Sequence, residues 1–304
     1  MRIRRCAALC LALIAICGCR DKKPGNVRID PALEALVPSD TVFVVGGNVD
    51  AIRQTAVYQK LLSRTPLPQL DEFTRQTGLD PRKDLSQILS CSNGNNGVLM
   101  ARGKFNIGDL EARLAARGAT KTGYKNHNVF ESGRVAVSFL DDSTAVAGRP
   151  VEVREVIDRS ESKGGGFSPA VRDLIRTIPP DDQVWAVLTG GLQNLNIAAP
   201  PGSNLGNIVS ALKTIDTAVI GMDLASGLKF NAEVACQTER DAKFVHDMVR
   251  GVVGFGRLNT PDNHPEMLKL YDAIKVTQQQ NRTVVTAEIP PDLADQFMDM
   301  WLKH

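Results

Sequence analysis

Six cysteines, four histidines and a few paired aspartates are the side chains of this 304-residue chain whose types could do chemistry. Cys17 and Cys19 sit one glycine apart, a spacing that suits a metal or redox pair only when a second ligand cluster follows, and none does. A hydrolase needs a nucleophile beside a base, and no G-x-S-x-G elbow occurs. His127 lies in a Lys-Asn-His-Asn turn, His264 in an Asn-His-Pro loop, His246 beside the apolar stripe of a helix, and His304 at the end of the chain. No H-E-x-x-H pairs any of them, so zinc has no ligand set. Asp141-Asp142 and Asp181-Asp182 could hold a cation or work as acid and base. Both pairs fall at predicted turns, where Asp carboxylates bond nearby backbone N–H groups. Asp223, Glu233, Asp241 and His246 would form a catalytic set only if the fold brought two or more of them to one cleft.

Glycines offer a second chemistry. Gly46-Gly47 follows a strand and precedes a helix, the geometry that cradles phosphate at a helix N-terminus. Neither G-x-G-x-x-G nor G-K-[ST] is present, and the similar Gly190-Gly191 lacks both too. Gly251 to Gly256 (GVVGFG) follows a helix rather than a strand. Ser92 to Gly97 (SNGNNG) has no carboxylate, whereas a calcium loop needs several charged oxygens; it reads as a loop. These residues predict no catalytic residue, no cofactor and no metal.

The start of the chain is more specific. Arg2, Arg4 and Arg5 precede a wholly apolar run, Cys6 to Cys17, and then Gly18 and Cys19. A basic region, a short apolar region and a small residue at the cut describe an export signal. The run falls short of the ~20 apolar residues a spanning helix needs. Ile16-Cys17-Gly18-Cys19 resembles the lipobox of bacterial lipoproteins: an aliphatic residue, a variable one, a small one, then Cys. That resemblance implies cleavage between Gly18 and Cys19, acylation of Cys19, and loss of Cys17 with the signal peptide. Two or more acyl chains anchor stably where one binds marginally. Arg20, in place of the Asp that favours inner-membrane retention, leans towards the outer membrane. Removing residues 1–18 takes away three Arg and no acid, so the formal charge falls from +2 to −1. A near-neutral body gives no electrostatic case for nucleic acid. Lys22 and Lys23 alone are no polybasic patch.

The elements that must position everything else follow in two echoing halves. Pro38 to Val45 (PSDTVFVV) is matched by Pro180 to Val187 (PDDQVWAV), about 142 residues later. Each reads as a Pro/Asp turn feeding a strand. Gly97 to Phe105 reads as a strand before a helix that Asn106 caps, with Ile107, Leu110 and Leu114 on one face. Leu228 to Cys236 (LKFNAEVAC) alternates cleanly. Thr238 then opens a helix with Asp241 in the capping-box position and Ala242, Val245, Val249 and Val252 inward. Each half closes with a hairpin and a helix: Arg134–Leu140 and Thr144–Gly148 before Pro150, then Lys275–Gln279 and Thr283–Ile289 before Pro290-Pro291. The expected fold is α+β, two tandem related units, each a mixed or antiparallel sheet with helices on one face. The expected boundaries are a signal peptide (1–18), a lipidated tether (19–35), a first unit (36–163) and a second (164–304), linked by the hydrophilic, glycine-rich Ser160 to Gly166.

Residues 77–89 (TGLDPRKDLSQIL) and 138–158 (SFLDDSTAVAGRPVEVREVID) resemble recurring patterns in uncharacterised bacterial envelope proteins. The resemblance covers mainly residues 36–160; it implies an α+β body and supplies no catalytic residue. Cys91 and Cys236 survive processing, and the envelope permits disulfides. A bridge would staple the two units, while Cys236, on an apolar strand face, also suits the role of a small hydrophobe. The leading expectation is a non-catalytic, lipid-anchored envelope protein, an interaction or scaffolding module with an envelope protein partner. The alternative is a carrier for a lipid or other apolar ligand.

Overall fold

A computed structural model of the chain describes residues 26–64, 67–162, 164–190, 213–261 and 264–301. Gly18, Cys19, Gly191 and His304 lie outside the described residues, and so does the side chain of Trp301. The first half runs α1 (Pro31–Glu34), β1 (Phe43–Asn48), α2 (Val49–Arg53), α3 (Ala56–Arg64), α4 (Pro68–Thr77), α5 (Pro81–Asp84), β2 (Leu85–Ser92) and β3 (Gly97–Gly103). It continues through α6 (Ile107–Ala116), β4 (Thr120–Tyr124), β5 (His127–Ser132), β6 (Val135–Asp141), β7 (Thr144–Gly148) and α7 (Pro150–Ser162). The second half holds α8 (Pro169–Ile175), β8 (Val184–Thr189), β9 (Ile215–Asp223), β10 (Leu228–Cys236), α9 (Glu239–Leu258), α10 (Pro265–Ala273), β11 (Ile274–Gln279), β12 (Arg282–Ile289) and α11 (Pro291–Trp301).

Local chemistry explains many of the boundaries. The Asn106 side chain accepts from Asp109 N at the start of α6, and Thr238 accepts from Asp241 N at the start of α9. Each satisfies one of the orphan donors of a first helical turn. Ser168 caps α8, and Pro169 follows it. The pattern of strand, acidic turn, glycine and helix at 138–158 is realised by β6, the Asp142-Ser143 turn, Gly148 and α7. One hairpin escaped the sequence reading: β4 and β5 join at Lys125, whose φ is 51°. The β11–β12 turn falls at Gln280-Asn281, and β12 starts at Arg282, one residue before the expected Thr283, because Gln279 pairs with Arg282.

The fold is α+β, and the described strands form one antiparallel sheet of twelve, in the order β11-β12-β10-β9-β8-β1-β2-β3-β7-β6-β5-β4. This corrects the expectation of a separate sheet per half. β1 and β8 lie side by side, with Val44 opposite Val187 and Gly46 opposite Trp185. The PSDTVFVV and PDDQVWAV echo therefore does not put like residues in like places. Phe43 pairs with Leu188 on one face and is 38% exposed, while its sequence counterpart Trp185 lies buried on the other. A one-residue difference in strand register flips every side chain to the opposite face.

The two faces are covered unequally. Val44, Cys91, Val98 and Val187 share one face, and α1, α7 and α8 bury it with Leu33, Val153, Val156, Ile157, Val171 and Ile175. This core draws on both halves, so a division at residue 163 would cut through it. Phe105, Leu110 and Phe139 pack on the opposite face, beneath α6. α9 covers that same opposite face farther along, over Leu188, Ile215 and Cys236. Helices thus lie on both faces in the first half. In the second half no helix among the described residues covers the first face beyond Val219. Its rows run Glu233, Val284 and Thr277, then Asn231, Thr286 and Lys275, a solvated face of an antiparallel sheet.

Two further expectations are corrected. Residues 27–35 are not tether: Val27 is 5% exposed within the main core, and Leu33 is fully buried. Gln87 fastens the segment, its Oε1 accepting from Asp30 N at 2.7 Å and its Nε2 donating to Arg28 O at 2.8 Å. The glycine-rich link is packed too, for Gly166 N donates to Val37 O and a Cβ on Gly165 would strike Ala35 O. Cys91 and Cys236 are free. They sit on β2 and β10, four places apart in the sheet, or ~19 Å at ~4.8 Å per strand. A disulfide requires Cα atoms within ~7 Å.

Candidate functional site

The carboxylates singled out in the sequence part into two groups. Asp181, Asp182, Asp223 and Glu233 line a cavity of about 580 Å³ where the cover of the first face ends, between the Thr177–Gln183 turn and the rows of β9 and β10. Of the four residues named as a conditional catalytic set, Asp223 and Glu233 thus share one cavity, while His246 and Asp241 belong to α9 over the opposite face. The cavity is held by a polar network. Gln183 Nε2 donates to Asp223 Oδ1 at 3.3 Å, Ala225 N donates to the same oxygen at 2.8 Å, and Leu224 N donates to Gln183 Oε1 at 2.6 Å. Lys229 Nζ stands 3.7 Å from Asp223 Oδ2, and Arg282 pairs with Glu233. Asp182 lies against Gly221, where a Cβ would collide with its carboxylate. These contacts fasten the Thr177–Gln183 turn to β9 and the start of β10.

Asp141 is a turn residue, as the sequence predicted. Its Oδ1 accepts from Ser143 N and Oγ, and its Oδ2 from Thr144 Oγ1. Burial pushes its carboxyl up, and these hydrogen bonds outweigh that and hold it below its ordinary value. His246 Nδ1 meets Asp247 Oδ1 and His264 Nδ1 meets Glu266 Oε1, each at 2.9 Å and each with a neighbour in its own segment. Gly46 forms no phosphate cradle: the Trp185 indole lies across it, in the space a Cβ would fill. Burial pushes the Cys91 thiol up to about 12, which suppresses the thiolate a nucleophile needs. Among the described residues no group of three or more His, Cys, Asp or Glu could hold a metal ion. Among them, too, no helix is long and apolar enough to cross a membrane.

Two surfaces were not legible in advance. One is a groove of about 900 Å³ beside the first described residues, walled by Asn26 to Pro31, by Asn48 and Asp50 and by the Arg172–Arg176 side of α8. The other is a ridge on α9. Val252 is 65% exposed, Phe255 70% and Leu258 87%, with Phe244 half-exposed behind them. At 100° per residue, positions 244, 251, 255 and 258 share one helix face, while Ala242, Val245 and Val249 share another. The sequence reading assigned Val252 to the inward stripe. By angle it sits about 20° from Val245, yet it stands exposed toward the C-terminal end of α9. The spacing of eleven between Phe244 and Phe255, three full turns, was the available signal.

No protein-family model matches the chain, and no curated protein does either. Among solved structures, crystal form III of TP0453 is similar over 90% of this chain and 99% of its own, with TM-score 0.49 and 11% identity. Crystal form I of TP0453 covers the same shares at TM-score 0.48 and 9% identity.

Proposed function

We propose that the chain is a lipid-anchored protein of the bacterial cell envelope, and that its body is a non-catalytic interaction module docking an envelope protein partner. Anchoring is supported by the Ile16-Cys17-Gly18-Cys19 motif, with Cys19 as the acylated residue and the outer membrane favoured by Arg20. The observation that carries the interaction reading is the α9 ridge. Its large apolar side chains stand in solvent on a helix whose other apolar face is already buried. Exposed apolar clusters of this kind mark interaction sites. The neighbouring glycines agree. Gly251 and Gly254 have nothing within 4 Å of a built Cβ, so no intramolecular contact requires them. Glycine inside a helix costs ~1 kcal/mol relative to Ala, and close approach of a partner would offset that cost.

A duplicated origin for the two halves is supported by strand order rather than by the sequence echo. Outward from the junction the first half reads β1, β2, β3, β7, β6 and the second β8, β9, β10, β12, β11. The apolar-ligand carrier has less support, because the larger cavities are lined substantially by charged and amide side chains.

The test is a photoreactive residue at position 255 or 258 in intact envelopes, with position 134 as a control. The proposal expects a discrete protein adduct from the ridge and none from the control. Equal, diffuse labelling from all three positions would overturn it.

A further inference from the structure

We infer that a small cavity between the 93–97 loop and α7 binds a zwitterion of the α-amino-acid class, its carboxylate on Arg159 and its ammonium on Glu152. The inference depends neither on the anchor nor on the α9 ridge. Among the described residues three buried side-chain atoms have no hydrogen-bond partner: Thr41 Oγ1, Glu152 Oε2 and Arg159 Nη2. All three residues line one cavity of about 100 Å³. Thr41 is 3% exposed and Glu152 6%. Buried polar groups are satisfied as a rule, and each orphan calls for an explanation. Three orphans from separate segments around one space call for a shared one.

The fold holds these atoms in place. Thr41 ends the turn that leads into β1, its N donating to Pro38 O at 3.1 Å. Glu152 and Arg159 stand seven residues apart on α7, about two turns, and so share a face. Their other polar atoms are engaged: Arg149 Nε donates to Glu152 Oε1 at 3.0 Å, and Arg159 Nε donates to Leu36 O at 3.1 Å. Oε2 and Nη2 are thus the free ends of fixed side chains. Asn93 Nδ2 donates to Asp40 Oδ2 at 2.6 Å, and Arg149 bonds Asn96, which fastens the loop as one wall.

The orphans select the occupant. An ionised Glu152 Oε2 only accepts, Arg159 Nη2 only donates, and the Thr41 hydroxyl does either. The Cys91 thiol beside that hydroxyl is a weak partner. A simple anion would satisfy Arg159 and leave Glu152 unpaired at Oε2; a simple cation would do the reverse. Among the described residues no group of acids, thiols or imidazoles could hold a metal. An amino acid brings both ends. Its carboxylate can take Nη2 together with Nη1, whose hold on the exposed Glu155 is loose at 3.8 Å. Its ammonium can donate to Glu152 Oε2 and Thr41 Oγ1. The small volume restricts the side chain to that of glycine or alanine, with Cys91 and Val98 as apolar wall.

The test titrates the full chain, in amine-free buffer, with glycine, alanine, acetate and methylamine, and follows the slow alkylation of both buried thiols. Cys91 lines the cavity, whereas Cys236 lies on β10. Glycine or alanine should bind saturably and slow alkylation of Cys91 about tenfold at ten times the Kd. Cys236 should be slowed far less, and acetate and methylamine should protect neither thiol. Glu152→Gln should weaken glycine binding about tenfold or more, and the nearly isosteric Thr41→Val severalfold. Thr41→Val carries the test if Glu152→Gln does not fold. Unchanged glycine binding in a folded variant overturns the inference. Protection by acetate or methylamine equal to that by glycine also overturns it, since one charged end would then suffice. Equal slowing of both thiols marks global stabilisation without a site at Cys91 and overturns it too. Saturable binding of none of the four probes leaves the three atoms to water and overturns it as well.

Discussion

Glu152 shows how single residues carry this body. It is 6% exposed, and its Oε1 accepts from Arg149 Nε at 3.0 Å. Burial pushes its carboxyl up, but the Arg149 bond and a backbone N–H outweigh burial and leave it below the ordinary value of 4.5. A carboxyl depressed in the folded state contributes stability above its unfolded pKa and loses it as pH falls through the folded one. Urea denaturation from pH 7 downward should therefore show stability falling below about pH 4.5, and less steeply in Glu152→Gln. Equal slopes would show that Glu152 is not part of the acid response. The thiols give a second residue-level expectation. Cys91 and Cys236, buried and unpaired, should resist alkylation in the native protein and both react in denaturant without reductant. Recovery of only one thiol, or of none, would contradict the structure. Gly46 is the tightest case. Gly46→Val must displace the Trp185 indole at the β1–β8 junction, and overpacking of this kind costs ~1–3 kcal/mol in a chemical melt.

The glycines of α9 separate internal packing from external use. Gly256 meets Tyr271 of α10, where a Cβ would stand 2.6 Å from the ring, so Gly256→Ala should destabilise the body. Gly251→Ala and Gly254→Ala meet open space and should each stabilise it by ~1 kcal/mol, read as a raised denaturation midpoint. The same two substitutions should weaken the crosslink from the ridge. If they stabilise and leave the crosslink intact, the glycines have no part in docking. Elements of this type show what a sequence reveals. β10 was legible because one face is buried and the other polar, which writes a period of two into LKFNAEVAC. The starts of α6 and α9 were legible because Asn106 and Thr238 bond the backbone three residues on. The second apolar face of α9 was not, because a stripe that buries and a stripe that docks have the same periodicity. The β4–β5 hairpin was hidden by its composition: TKTGY is polar and mostly exposed.

At the scale of the whole molecule, one contact organises the rest. Pairing of β1 with β8 turns two half-sheets into one and makes a core that residues from both halves fill. No local signal announces such a pairing, since partners some 140 residues apart are chosen by tertiary packing. The proposed signal peptide and lipobox, by contrast, are readings of sequence alone, because an export signal is written in the order of residues rather than in a fold. The described residues form a body whose first segment is fastened to the core, with one polar face and one apolar ridge, and the anchor is the part that stands as a proposal. The most direct measurement is fractionation of envelopes expressing Cys19→Ser or Cys17→Ser, with the mass of the N-terminal peptide. The account predicts that Cys19→Ser leaves the membrane fraction unacylated, while Cys17→Ser stays there with an acylated Cys19. Retention of an unmodified Cys19→Ser chain in the membrane, or release of both variants, would contradict it.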